Sequence, residues 1–287
     1  MRHIILPLLT LAACAPVPYV APAEMDASRS MLEAPTCDGD RIDTKTEDAL
    51  LQFLTTQPLE TVYDAQFLIE ASASTFEACG DARGLFATVY RPITEGAIEA
   101  IEEGQFQDEA WGRRLLVDFA QRYLVALVDE LQGEKPSWAW DRYYELAANP
   151  DVSRTRVAAT GMMAHLILDL PYCLSAIGTE ESHRDDYFAF GDILVRDADR
   201  VVTDLWERHG VDAADLLGGF FWGDWIDATF DEQTTTAFSF QTIRLKAWNN
   251  RWFLDQSWGG WIAEGEIVAS FWTLDGIRGT LDAAGII

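Results

Sequence analysis

Apolar residues recur at three- and four-residue spacing through almost the whole chain, and this limits the fold more than any other feature. EDALLQFLTT (47–56), VYDAQFLIEASA (62–73), AWGRRLLVDFAQRYLVALVDEL (110–131), TRVAATGMMAHLILDL (155–170), ILVRDADRVVTDLWERHG (193–210) and SFQTIRLKAWNNRWFLDQ (239–256) all follow it. That period belongs to helices with one buried face. Half-buried strands alternate every second residue between turn signals, and such runs are missing. Breakers at Pro58, Gly80, Pro92, Gly133 to Pro136, Asn149-Pro150, Gly210 and Gly218-Gly219 punctuate the segments. The expectation is an all-α, bundle-like single domain of about eight to ten helices over residues 36–287.

The first residues have a different organisation. MRH is a short basic start, and IILPLLTL (4–11) is an apolar run too short to span a bilayer. This order of parts reads as a secretory signal over residues 1–13. Its ending, Leu11-Ala12-Ala13-Cys14, resembles a bacterial lipobox. The resemblance implies cleavage before Cys14, a diacylglycerol on its sulfur, and a membrane partner reached through that lipid. Ala15 is not Asp, which points to the outer membrane, facing the periplasm, within a bacterial cell envelope. Residues 14–35 are rich in Ala and Pro without apolar period and read as a tether. A flexible chain of that length reaches about 25 Å.

Charge narrows the choice of partners. With 47 acidic against 21 basic residues, the net charge is −26. A field of that sign opposes nucleic acid, whose binding requires basic groups to neutralise phosphates. A small molecule or a protein stays open as partner. In an oxidising compartment cysteines pair. Cys37 (in TCDGD) and Cys79 (in ACGDARG) both lie in polar, loop-like surroundings and are the expected disulfide, whereas Cys173 in apolar PYCL reads as a small buried hydrophobe.

The stretch GMMAHLILDLP (161–171) raises the question of a site. It is apolar on every side of a helix, which marks a central, buried one, yet it carries His165 and Asp169 four residues apart on one face. Buried ionisable groups need partners. Asp151 or Ser153 is placed to cap this helix. Other helices supply candidates: Asp118, Arg122 and Tyr123 interrupt an apolar pattern, and His183, Asp185, Asp186 and Asp192 form a dense group. Arg244 and Trp248 share a further face. One interior cluster would bring His165 and Asp169 to Asp118, Arg122 and one of Asp185 or Asp186. His165, Asp169, Asp118 and Asp186 are a donor set suited to one divalent metal ion. His165 and Asp169 could also act as base and orienting carboxylate, with Arg122 stabilising an anionic substrate. The bland alternative is a satisfied structural pair. Of the late tryptophans (Trp206, Trp222, Trp225, Trp248, Trp252, Trp258, Trp261 and Trp272), core is the expected role, with a ligand wall as the minority one.

Two resemblances follow from these residues. H-x-x-x-D-x-P, from His165 to Pro171, is similar to a piece of the P1 nuclease and zinc phospholipase C family. That family's three-zinc site needs more histidines than His165, His183 and His209 provide once His3 leaves with the signal. A longer resemblance runs through GDARGLFATVYRPIT (80–94), VDFAQRYLVAL (117–127), GMMAHLILDLP, the DDYFAFGDIL region and RLKAWNNRWFL (244–254), in that order. This pattern resembles a bacterial domain family of unknown function, the one numbered 5995. Its central motif carries Asn before Ala-His, where this chain has Met163. The resemblance implies a fold and no reaction. Two functions therefore stay open: a lipid-anchored hydrolase with a small metal or acid–base site around His165 and Asp169, or a non-catalytic binding or scaffold lipoprotein whose polar cluster is structural.

Overall fold

The computed structural model describes residues 32–212 and 232–285, with side chains left aside over 232–241. The expectations placed on residues 1–31, including Cys14, and on Gly218, Gly219, Trp222 and Trp225 lie outside the described residues. Ten helices occur among the described residues when Arg154–Ala176 is counted as one rod, and the only sheet there is a two-stranded ribbon. The protein is all-α.

The helices begin where short polar side chains can satisfy free backbone N–H groups. Asp43 accepts from the N–H of Thr46 to start α1 (Thr44–Thr56). Thr61 and Asp64 form a reciprocal capping box on α2 (Val62–Glu77). Asp108 accepts from Trp111 to start α4 (Glu109–Leu131). α5 is Trp138–Ala147. α6 (Arg154–Met163) is capped by Ser153, whose side chain accepts from Arg156; Asp151 is not its cap. α6 continues through a wide turn into α7 (Leu170–Ala176). α8 is Arg184–Arg196, and α9 is Ala198–His209, which ends on Gly210 in the left-handed conformation. α10 (Glu232–Asp255) and α11 (Gly260–Ala283) complete the described chain.

α3 (Leu85–Glu102) runs straight through Pro92, which the breaker pattern places between elements. A proline inside a helix costs about 3 kcal/mol. This helix is buried on nearly every side, from Leu85 to Ile101, and that packing outweighs the local penalty.

The main core gathers side chains from most of the helices, including Phe76, Phe86, Tyr123, Trp140, Met163 and Phe271. Leu32, the first described residue, already packs against it. The short ribbon of β1 (Cys37–Asp38) and β2 (Arg41–Ile42) is tied to the helices twice. Cys37 and Cys79 form a disulfide with Cα atoms 5.5 Å apart. The Ile42 N–H donates to Asp81, whose carboxylate also binds the buried Arg83 guanidinium. Cys173 is a buried free thiol.

The rod Arg154–Ala176 is long and apolar enough to cross a membrane, but 89% of its most apolar window is buried inside the protein, so it is the core helix. Gly161 lets it sit against α3: a Cβ there would come within 2.8 Å of the Phe86 side chain. The tryptophans depart from expectation. Trp248 is buried, but Trp206, Trp252, Trp258, Trp261 and Trp272 lie on the surface, Trp261 at 74% exposure. Helical periodicity alone does not distinguish a face that meets a neighbour from one that meets none.

Candidate functional site

The centre of the rod is not an ordinary α-helix. Residues Ala164–Asp169 form a π-turn, in which the N–H of Leu170 donates to the carbonyl of His165 five residues back. Pro171 follows, with no N–H to give and a ring that crowds the carbonyl four residues before it. Wide turns of this kind recur at functional positions. Here the turn carries both ionisable residues of GMMAHLILDLP.

His165 and Asp169 are bonded to each other: His165 Nδ1 lies 3.0 Å from Asp169 Oδ2. The indole Nε1–H of Trp140, on α5, donates to the same oxygen at 2.9 Å. The His165 ring is stacked on Phe119 at 3.4 Å between centroids and meets Tyr90 and Phe86 edge-on at 4.7 and 5.1 Å. Burial in this aromatic box lowers its pKa, against the opposing pull of Asp169, so the imidazole is neutral near pH 7. With Nδ1 donating to the carboxylate, Nε2 is the lone-pair nitrogen, and it has no hydrogen-bond partner among the described residues. Asp169 Oδ1 likewise receives no hydrogen bond among them.

Asp169, unlike His165, reaches an open space. A cleft of about 330 Å³ is lined by Asp118, Gln121, Arg122, Val125, Ala126 and Asp129 of α4, by Ser137 and Trp140 at the start of α5, and by Asp169. Arg122 Nε donates to Asp118 Oδ2 at 2.8 Å across one helical turn, and both side chains are about one quarter exposed. The Arg122 charge also acts on His165, and Asp118 acts on the buried thiol of Cys173. The pair from α4 and the pair from the rod thus form one polar neighbourhood, with the carboxylate in front and the imidazole behind.

Other expected members lie elsewhere. Asp186 uses both carboxylate oxygens on the N–H groups of Gln107 and Asp108, each at 2.8 Å, fixing the loop before α4. His183 stacks on Trp111 at 5.0 Å and faces Asp108 at 3.4 Å. Asp185 and Asp192 are exposed. Tyr123 is buried, but its hydroxyl bonds to neither His165 nor Asp169. Arg244 donates to the carbonyls of Tyr187 and Phe188 and, with Trp248, fastens α10 to α8. The set His165, Asp169, Asp118 and Asp186 therefore does not converge, and no three His, Cys, Asp or Glu among the described residues are arranged to hold a metal ion. Asp185 and Asp186 stand in the first turn of α8, where negative charge is favoured by the helix dipole, and Asp186 also ties down the 107–108 loop.

The model of a family of unknown function, DUF5995, matches residues 65–259, more than half of the chain. The chain belongs to this family. Neither the curated proteins nor the solved structures gave a match. Nothing in these comparisons supports the local likeness of His165 to Pro171 to the P1 nuclease family. The DUF5995 match spans α2 to the turn before α11, so it includes every residue that lines the cleft.

Sequence reasoning did not place Trp140, Phe119, Gln121, Asp129 or Ser137 at this site. Trp140 is the most consequential omission, since it fixes Asp169 from a different helix. A buried tryptophan needs an acceptor for its N–H. Nothing in SWAWDRYYEL, however, indicates that the acceptor lies 29 residues further on.

Proposed function

We propose that this chain is an exported, lipid-anchored envelope protein that binds a small solute in the cleft between α4, α5 and the π-turn. The order Leu11-Ala12-Ala13-Cys14 supports the anchor, and a disulfide between Cys37 and Cys79 is in keeping with an oxidising compartment. One observation carries the binding reading. A carboxylate whose side chain is only 8% exposed lines an open cleft with one oxygen held by two N–H donors and the other without a donor among the described residues. Concave sites of this size with a few fixed polar groups are where small ligands bind.

Thermal denaturation of the full chain, purified in detergent, against a panel of small polar solutes tests the reading. A solute that raises Tm in the wild type and not in Asp169→Asn supports it. A panel in which every stabilising solute acts equally on both proteins refutes it. The mass of the Cys14 peptide tests the anchor separately, since a diacylglycerol adds a known increment.

A hydrolytic reading has its own observation, the Nε2 of a neutral His165, which has no partner among the described residues, near Asp169 and Arg122. In it the imidazole removes a proton from water or substrate and Arg122 holds an anionic group. It ranks second because a general base must come within hydrogen-bond reach of its proton, and the carboxylate rather than the imidazole lines the cleft. Turnover of an ester or phosphoester panel that is lost in His165→Gln would reverse the ranking.

A further inference from the structure

We infer that the cleft takes a ligand bearing a positively charged nitrogen, an ammonium or guanidinium group, seated on Asp169 Oδ1. The inference rests on the cleft being the working site and adds the chemical class of its occupant. Three carboxylates, Asp118, Asp129 and Asp169, face the space against one guanidinium, and that guanidinium is already bonded to Asp118. Asp129 and Asp169 have no cationic partner among the described residues.

Asp169 is the more demanding of the two. Its donors are the Trp140 indole and the His165 imidazole, and burial holds that imidazole in its neutral form. Among the described residues, Asp169 therefore receives hydrogen bonds on one oxygen and no ion pair with a Lys or Arg, the nearby Arg122 being bonded to Asp118. A carboxylate taken this far out of water is stabilised most by a cation that hydrogen-bonds to it. An anionic ligand would meet the like charges of Asp129 and Asp169. A neutral polyol would satisfy the oxygen but leave the charge unmatched.

The cleft walls fit the rest of such a molecule. Val125 and Ala126 offer an apolar surface to a short methylene stem, and the side-chain amide of Gln121 offers a hydrogen-bonding end. The net charge of −26 draws cations towards the surface and repels anions, which acts on the encounter rather than on the bound geometry.

Calorimetric titration of the full chain in neutral detergent with agmatine tests this, with mannitol and succinate as neutral and anionic controls. The expected result is saturable binding of one agmatine per chain. Binding should weaken about tenfold in Asp169→Asn, the size of roughly 1.4 kcal/mol, and several-fold in Asp129→Asn. It should also weaken as salt rises from about 0.05 to about 0.3 M, because the contact is ionic. Asp40→Asn, an exposed charge at the ribbon turn, should leave it unchanged. If Asp169→Asn fails to fold, Asp129→Asn decides, since that side chain has no hydrogen-bond or ion-pair partner among the described residues. Absence of agmatine binding overturns the inference, as does binding that both cleft variants leave unaltered, which is diffuse association with an acidic surface. Mannitol binding that Asp169→Asn abolishes, with no agmatine binding, keeps the cleft reading and overturns the cationic class.

Discussion

His165 and Asp169 are joined Nδ1 to Oδ2 at 3.0 Å across a π-turn, with the imidazole sealed in aromatic rings and the carboxylate at a cleft wall. The two residues thus have different jobs although they form one pair. His165→Ala removes a stacked, buried ring and one of the two donors to Asp169. The expected loss in urea unfolding is about 3–4 kcal/mol, from a cavity plus an unsatisfied acceptor. His165→Phe refills the volume and should recover part of that loss, leaving about 1–3 kcal/mol for the missing hydrogen bond.

Trp140→Phe isolates the other donor. The ring stays in the core, but Asp169 Oδ2 loses its 2.9 Å bond from Nε1. Hydrogen bonds to charged groups contribute about 1.5–3 kcal/mol. Equilibrium denaturation should show a loss of that order, and the effect should shrink in an Asp169→Asn background, because the two residues share the bond.

Acid should destabilise the protein before most carboxylates titrate. His209 is held to about 4, first by burial and then by the Arg154 charge, against an ordinary value of 6.5. Its Nε2 shares a hydrogen bond with Thr88 Oγ1 at 2.9 Å, and the charges of Asp81 and Arg91 also reach it. Burial lowers His165 in the same direction. In both cases the unfolded chain takes up the proton first. The stabilising contribution is complete above pH 6.5 and declines as pH falls towards 4 for His209, at up to roughly 1.4 kcal/mol per pH unit for each group. Tm measured between pH 7 and pH 5 should fall, and His209→Gln should flatten the curve.

The tryptophans divide sharply by burial. Trp261→Ser and Trp206→Ser act at exposed positions and should change stability by no more than about 0.5 kcal/mol. Trp111 is fully buried and donates to Thr179 Oγ1 at 3.1 Å. Trp111→Ala should cost about 3–5 kcal/mol. Intrinsic fluorescence during denaturation separates the two groups.

Cys37 and Cys79 close a loop with a sequence separation of 42. Replacing both by Ser should lower stability by about 4 kcal/mol on the chain-entropy account, within an observed range of about 2–5 kcal/mol. Parallel melts with and without reductant check it, and the double variant should be insensitive to reductant.

Helix content was legible in the sequence because a period of three and four residues is a local property, and each segment carries it whatever it later packs against. The buried character of GMMAHLILDLP was legible for the same reason, and so was the pairing of His165 with Asp169. Pro92 misled because the local cost of a helical proline is smaller than the packing gained by an almost wholly buried α3. Asp186 misled because composition cannot distinguish a ligand cluster from a helix start, and its oxygens went to the N–H groups of Gln107 and Asp108.

What the sequence determined alone is therefore the helical class, the apolar central rod and the ionisable pair within it, all set by spacing along one segment. The tertiary structure decided which long-range partners that pair receives. It brought Trp140 to Asp169, closed Phe119 over His165, and set Asp118 and Arg122 across the cleft while sending Asp186 to another loop. Those choices depend on how whole helices pack, and a contact between residues on different helices leaves no periodic trace in either one.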